Sequence, residues 1–246
     1  MNIIVNGAGG RMGGVLCNLI KQTGHTLAAR VSVEFTTDAA AGVYQTLGEF
    51  TGDADCVIDF SNHTAIPALC DYCVSRDLPV VIATTGLSEE ELACVQTAAN
   101  DIPVFRSANM SLGVALLSCL TKIAAKALPD ADIEIVEAHH NQKLDVPSGT
   151  ALLLADAVKD VRPDAVFHVG RHENGKRQKN EIGIHSLRMG SEVGTHEVIF
   201  ALGSQVITLK HEAENRALFA EGALAAAAFL LGKAPAIYTM DDIFDD

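Results

Sequence analysis

The sequence predicts an α/β protein in two parts: a parallel sheet wound with helices, and an inserted α+β segment with a mixed, open sheet. Three observations carry this. A glycine-rich turn joins a first short apolar run to an amphipathic helical pattern. Further short apolar runs, at 54–60, 79–83 and 102–106, each lead through a turn into a helical pattern, the rhythm of a parallel sheet. After residue 181 the pattern changes to strand-like runs separated by Gly190, Gly194 and Gly203.

In order, residues 2–6 form the first strand. Gly7-Ala8-Gly9-Gly10-Arg11-Met12-Gly13 follows, then a helix to about Gln22. Glycines at such a corner let the backbone approach a pyrophosphate, whose charge meets the helix amides, so the first part reads as a Rossmann-like dinucleotide-binding domain. Met12 stands where the third fingerprint glycine belongs, and Gly13 comes one residue late. Residues 25–33 are the second strand. An acid near its end commonly holds the ribose hydroxyls. Here either Glu34 does so or no acid does, and Arg11, Arg30 and Ser32 would then tolerate a ribose 2′-phosphate. The expectation is that NADPH is accepted at least as well as NADH. Residues 36–53 read as an abbreviated connection with one helical turn.

The strand at 54–60 ends in Asp59-Phe60-Ser61, with a capped helix to about Arg76. Residues 79–83 are a strand running into Thr84-Thr85-Gly86. Ser88 opens a helix with Glu89, Glu90 and Glu91 in its first turn, which suits the helix dipole. Residues 102–106 are a strand followed by Ser107-Ala108-Asn109-Met110-Ser111. These strand ends line one carboxyl edge, where ligands bind in such sheets. A long helix spans 112–128. Three strands, at 181–189, 196–202 and 205–213, read as consecutive antiparallel neighbours, joined in one sheet by a strand at 132–136. A helix at 215–231 and a short acidic segment at 236–243 return to the first domain. The predicted domains are 1–110 with 215–246, for the dinucleotide, and 111–214, for substrate and oligomer contacts.

The stretch from Glu137 to Thr150 is read as a loop that opens a helix, with Ser148 as the cap. The amides of Gly149 and Thr150 offer an anion cradle. His139, His140 and Lys143 lie just upstream, a fixed cation beside two groups able to move protons near neutral pH. The polar loop at 171–180 is expected to be solvated. His168, His172, His185, His196 and His211 are expected to be structural or exposed.

Composition limits the partners. Of 246 residues, 48% are apolar, ample for a core, and the formal net charge of −13 argues against a nucleic-acid partner. A local cationic pocket can still attract a small anion. The longest apolar run, 223–231, is too short to span a bilayer. No basic leader precedes the first strand, which predicts a cytoplasmic protein. Six scattered cysteines, including Cys70 and Cys73 at redox-like spacing, are expected to be buried and reduced, and no metal site is expected because His139 and His140 lack companion ligands.

Together Gly7 to Gly13, Asp59-Phe60-Ser61, Ala83-Thr84-Thr85-Gly86, Asn109-Met110-Ser111 and Glu137-Ala138-His139-His140 with Lys143 and Pro147-Ser148-Gly149-Thr150-Ala151 resemble, in order, the motifs of dihydrodipicolinate reductases. These are also called 4-hydroxy-tetrahydrodipicolinate reductases. The resemblance covers nearly the whole chain. It implies NADH- or NADPH-dependent reduction of a cyclic imine dicarboxylate in lysine biosynthesis. By position it implies His139 as proton donor or acceptor and Lys143 as a second proton donor, with His140, Gly149 and Thr150 binding substrate. Gly7, Ala8, Gly9, Gly10, Arg11, Met12, Ala83, Thr84, Thr85, Ser107, Ala108, Asn109 and Met110 would hold the cofactor, and Arg216 and Phe219, in the last helix, could approach it. A homotetramer built through the substrate-domain sheet is implied as well. Two positions depart from the family: Ala83 replaces a usual glycine, and Ser32 a frequent acid. The other readings are an oxidoreductase for a different small dicarboxylate, and a non-catalytic sensor that binds NAD(P). Neither requires the histidine–lysine run.

Overall fold

The computed structural model describes residues 1–244; Asp245 and Asp246, included in the predicted first domain, lie outside them. The chain divides into two units, Met1–Ser111 with Ala217–Asp246, and Leu112–Arg216.

The first unit is a seven-stranded parallel sheet. Its strands are β1 (Asn2–Asn6), β2 (Thr26–Val31), β3 (Val43–Tyr44), β4 (Cys56–Asp59), β5 (Val80–Ile82), β6 (Pro103–Arg106) and, from the far end of the sequence, a strand at Ala236–Tyr238. That last strand pairs with β6, and the spatial order from it is β6-β5-β4-β1-β2-β3. The order reverses at β1, which leaves a crevice between the ends of β1 and β4. The strands are short and rich in Val and Ile because both faces are covered. Ile66, Leu69 and Cys73 of α2 (Ile66–Ser75) and Val95 of α3 (Glu89–Ala98) pack with Val57, Val80 and Ile82. α1 (Arg11–Gln22) also belongs to this unit. The connection at 36–53 holds β3 and two short 3-10 turns, not a single helical turn. Cys17, Cys56, Cys70 and Cys73 lie buried, the last two in α2, as expected of small core side chains, whereas Cys94 and Cys119 are only half-buried.

The second unit contains α4 (Leu112–Ala127), β7 (Asp132–His139), α5 (Gly149–Val161), β8 (Val166–Val169), β9 (Glu181–Arg188), β10 (Thr195–Leu202) and β11 (Gln205–Glu212). α6 (Ala217–Leu230) and the strand at Ala236–Tyr238, now β12, return to the first unit. The second sheet has the order β11-β10-β7-β9-β8. The mixed sheet is as predicted, but β9 and β10 are not neighbours. β7 sits between them, parallel to β9 and antiparallel to β10. The most buried strand takes the centre, where Ile133 and Ile135 are covered by Leu154 and Val158 of α5. Burying each such side chain contributes about 2 kcal/mol. That packing fixes where α5 begins. The other face carries Val136, Leu187, Ile199 and Val206; Leu187 and Val206 are 48% and 64% exposed. The loop at 171–180 has no regular element, yet its charges are not all solvated. Arg177 donates to Glu134 and to the carbonyls of Ile133 and Glu181, and Arg171 pairs with Glu181.

Candidate active site

β7 runs three residues further than predicted, so Glu137, Ala138 and His139 belong to the strand and not to the loop. Both neighbours supply ladder partners to its end: His139 pairs with Arg188 of β9, and Ala138 with Thr195 of β10. Strand alternation places Glu137 and His139 on the face that carries Ile133 and Ile135. Glu137 is fully buried there. Its carboxylate accepts from His139 Nδ1 at 2.5 Å, from both terminal nitrogens of Arg188 at 2.9 and 2.8 Å, and from the Ser148 N–H at 3.2 Å. Burial alone would raise its pKa; the donors, Arg188 foremost, outweigh burial and hold it at about 2.

An ionised Glu137 fixes the tautomer of His139. Nδ1 carries the proton and Nε2 is left to act. Gly194 borders that nitrogen: a Cβ added there would stand 3.1 Å from Nε2. Burial is the largest influence on His139 and depresses its pKa; Glu137 pulls it back up, and Lys143 and Arg188 press it down, for a net fall. His196 packs edge-on against His139, with ring centroids 5.1 Å apart. It is buried, and burial together with His139 pushes it down to about 4. Its Nε2 meets Ser148 Oγ at 3.1 Å.

Ser148 caps α5 as expected, accepting the Ala151 N–H at 3.2 Å. Gly149 and Thr150 occupy the first two helical positions, where backbone amides have no carbonyl partner within the helix and the dipole favours an anion. Lys143 pairs with Asp145 at 2.9 Å, and the Asp145 carbonyl accepts from Arg188 at 2.7 Å. The His140 carbonyl accepts the Lys143 N–H at 3.1 Å, closing the turn between them. Contacts thus run unbroken from His139 through Glu137, Arg188 and Asp145 to Lys143. Glu137 was visible in the sequence only as a flank of the motif, and Asp145 only as loop. Arg188, Gly194 and His196 were missed, and no local signal connects them with the motif. Sheet pairing alone brings them there.

The glycine corner of the first unit has its own geometry. Gly7 has φ +79°, and a Cβ on it would lie 2.5 Å from the Phe60 carbonyl oxygen. A Cβ on Gly13 would lie 2.2 Å from the Gly7 carbonyl oxygen, so Gly13 supplies the close strand–helix approach that Met12 does not. Gly10 caps α1, and Arg11 and Met12 begin it. Ala8 donates its N–H to Val31, and Gly9 lies against Ser32. Ala83 donates its N–H to Asp59. The Thr84 hydroxyl turns inward to the buried Asp59 at 2.6 Å, and Asn6 reaches the same carboxyl at 2.8 Å, so one side chain ties three strand ends together. Thr85 and Ala108 are exposed. Ser107 Oγ donates to the Asn109 carbonyl, Asn109 accepts from Ser111, and Met110 is buried. Phe219 lies in α6, whereas Arg216 precedes it and falls in the second unit. A cavity of about 420 Å³ is lined by Gly7, Gly10, Ser32, Glu34, Thr46 and Asn62 among others. Glycines without room for a Cβ, a helix start and an adjoining cavity fit a dinucleotide.

Residues 1–110 match the family profile described as dihydrodipicolinate reductase, N-terminus, and residues 113–244 the one for its C-terminus. A Caldanaerobacter subterraneus protein named 4-hydroxy-tetrahydrodipicolinate reductase is 49% identical over 99% of this chain and 98% of its own. A Clostridium tetani protein of the same name is 43% identical over 98% of this chain and 96% of its own. Among solved structures, a dipicolinate-bound dihydrodipicolinate reductase from a Paenisporosarcina species shares the fold, with TM-score 0.80, 24% identity and 97% of each chain covered. Among the described residues no helix is long and apolar enough to cross a membrane.

Proposed function

The chain belongs to the dihydrodipicolinate reductase family, and from that premise we propose that it reduces 4-hydroxy-tetrahydrodipicolinate to tetrahydrodipicolinate with NADH or NADPH, in the diaminopimelate route to lysine. The observation that carries this reading is the Glu137–His139 pair beside the start of α5, with Lys143 held within the same network.

The first unit holds the cofactor at the glycine corner, with the segments Ala83 to Thr85 and Ser107 to Met110 on the same strand edge. A reduced nicotinamide would supply the hydride. The second unit handles the dicarboxylate and the proton. One carboxylate meets the Gly149 and Thr150 amides, and His140 and Lys143 take the other. Carbanion character develops beside the reduced carbon, and a proton must follow. A neutral His139, with Nδ1–H committed to Glu137, presents a lone pair at Nε2 and not a proton. Lys143 is then the resident proton donor. Only one proton is needed: Lys143 supplies it while His139 is neutral, and His139 supplies it instead once the arriving dicarboxylate has raised its pKa. In the second case Lys143 keeps its proton, and its charge stabilises the anionic transition state. The same reading places the enzyme in the cytoplasm as a homotetramer joined through the open face of the second sheet.

The test is a coupled assay. Dihydrodipicolinate synthase makes the unstable substrate in place, and absorbance of the reduced nicotinamide is followed. Oxidation that needs both the synthase and this protein is the expected result. Cofactor binding without oxidation would overturn the assignment.

A further inference from the structure

We propose that Glu34 reads the ribose of the bound dinucleotide and selects NADH over NADPH. This rests on the reading of the first unit as a nicotinamide-dinucleotide site. It takes the first of the two alternatives left open by the sequence, in place of the expectation from Arg11, Arg30 and Ser32 that NADPH is accepted at least as well as NADH.

β2 ends at Val31, so the residue after the strand is Ser32. Its side chain is too short to reach across a ribose, and it is buried against the glycine turn. A Cβ added to Gly9 would come 2.6 Å from Ser32 Oγ. The chain then reverses. Phe35 donates its N–H to the Ser32 carbonyl at 3.0 Å, and Glu34 donates its N–H to Ser32 Oγ at 3.4 Å. This is a β-turn reinforced by a serine side chain. The turn carries Glu34 back over the strand end, and its Oε2 lies 3.1 Å from the same Cβ position on Gly9. A carboxylate therefore stands at the phosphate turn although the strand-end residue is not an acid. It arrives two residues later in sequence.

The surroundings decide what that carboxylate does. The cavity of about 420 Å³ at this corner is lined by backbone, hydroxyl, amide and apolar groups, and Glu34 is its sole ionisable side chain among the described residues. Arg30 donates to the Ala41 carbonyl at 3.2 Å and is not part of the lining. Arg11, at the first position of α1, is likewise outside it. Accommodation of a 2′-phosphate commonly relies on a nearby arginine. Here a 2′-phosphate would meet one negative charge and no lining cation, whereas ribose hydroxyls would find an acceptor.

The test separates this proposal from the reading beneath it by measuring binding without turnover. The full chain is titrated calorimetrically with NADH, NADPH, ADP-ribose and 2′-phospho-ADP-ribose, as wild type and as Glu34→Gln. The wild type should bind the nucleotides without the 2′-phosphate roughly 30-fold or more tightly, the scale expected of a like-charge clash. Glu34→Gln, isosteric and on an exposed residue, should narrow that gap by about tenfold, mainly by improving 2′-phosphate binding. Tighter wild-type binding of NADPH, or a ratio unmoved by Glu34→Gln, overturns the role of Glu34 and leaves the dinucleotide site standing. No binding of any of the four overturns both.

Discussion

A buried carboxylate decides how one imidazole behaves. Glu137 holds the Nδ1 proton of His139, and Arg188 neutralises Glu137 from the other side, so no unpaired charge is left under the site. Glu137→Gln keeps the shape and removes the charge. It should lower kcat by about 10- to 100-fold, with a small effect on KM for the dicarboxylate. Because Glu137 raises the proton affinity of His139, the limb of the kcat/KM profile owed to His139 should move to lower pH. A profile superimposable on the wild type would remove Glu137 from the mechanism. His196 makes a prediction about stability. Its folded pKa of about 4 lies below the ordinary value of 6.5, so between those values the unfolded chain binds the extra proton. Stability from this residue is complete above pH 6.5 and is lost as pH falls toward 4, by at most on the order of 3 kcal/mol. Thermal unfolding followed against pH should show that decline, and His196→Asn should flatten it. The residue types of the proposed site were legible because His139, Lys143 and Ser148 lie within one short stretch. Arg188 and His196 were not, since strand register, and not sequence distance, sets them beside Glu137.

Among the elements, α5 is where the proposed anion site meets the Glu137–His139 pair. Ser148 caps it through Oγ, holds Glu137 through its N–H, and meets His196 through the same hydroxyl. Ser148→Ala should cost about 1–3 kcal/mol in urea unfolding, from the lost cap and the lost buried hydrogen bond. It should also raise KM for the dicarboxylate more than KM for the cofactor, because the helix start loosens. An equal change in both would place the damage elsewhere. The elements of the first unit were largely readable, since short Val- and Ile-rich runs alternate with capped helices. Two were not. β3 pairs only Val43 and Tyr44 with β2, too short for any periodic signal. β8, at Val166–Val169, has three partly or fully exposed apolar residues and no alternation. The place of β7 was also hidden. Three strands in succession favour a meander by proximity alone, and only the burial of Ile133 and Ile135 puts β7 between β9 and β10.

At the scale of the whole molecule, the tetramer proposal rests on the open face of the second sheet. Val136, Leu187, Ile199 and Val206 share it with Glu134, His185, Glu197 and Lys210, a mixed apolar and charged surface of the kind found where copies of a chain meet. Val206→Glu should shift the protein from a tetramer to smaller species in sedimentation velocity, with secondary structure intact. A wild type that sediments as a monomer at micromolar concentration would end the tetramer proposal. The assembly was implied by the family resemblance and not by pattern, because a half-exposed strand reads the same whether water or another subunit covers it.

The pairing of β12 with β6 also sets an order of events on the ribosome. The second unit is contiguous, so it can fold as soon as residues 112–216 have emerged. The first unit cannot complete its sheet until residues 236–238 arrive, after the whole of the second has been made. At common elongation rates β6 waits on the order of ten seconds with its outer edge unpaired. During that interval the nascent chain carries a finished second unit and an unfinished first one, and the exposed edge is the surface a chaperone would have to shield.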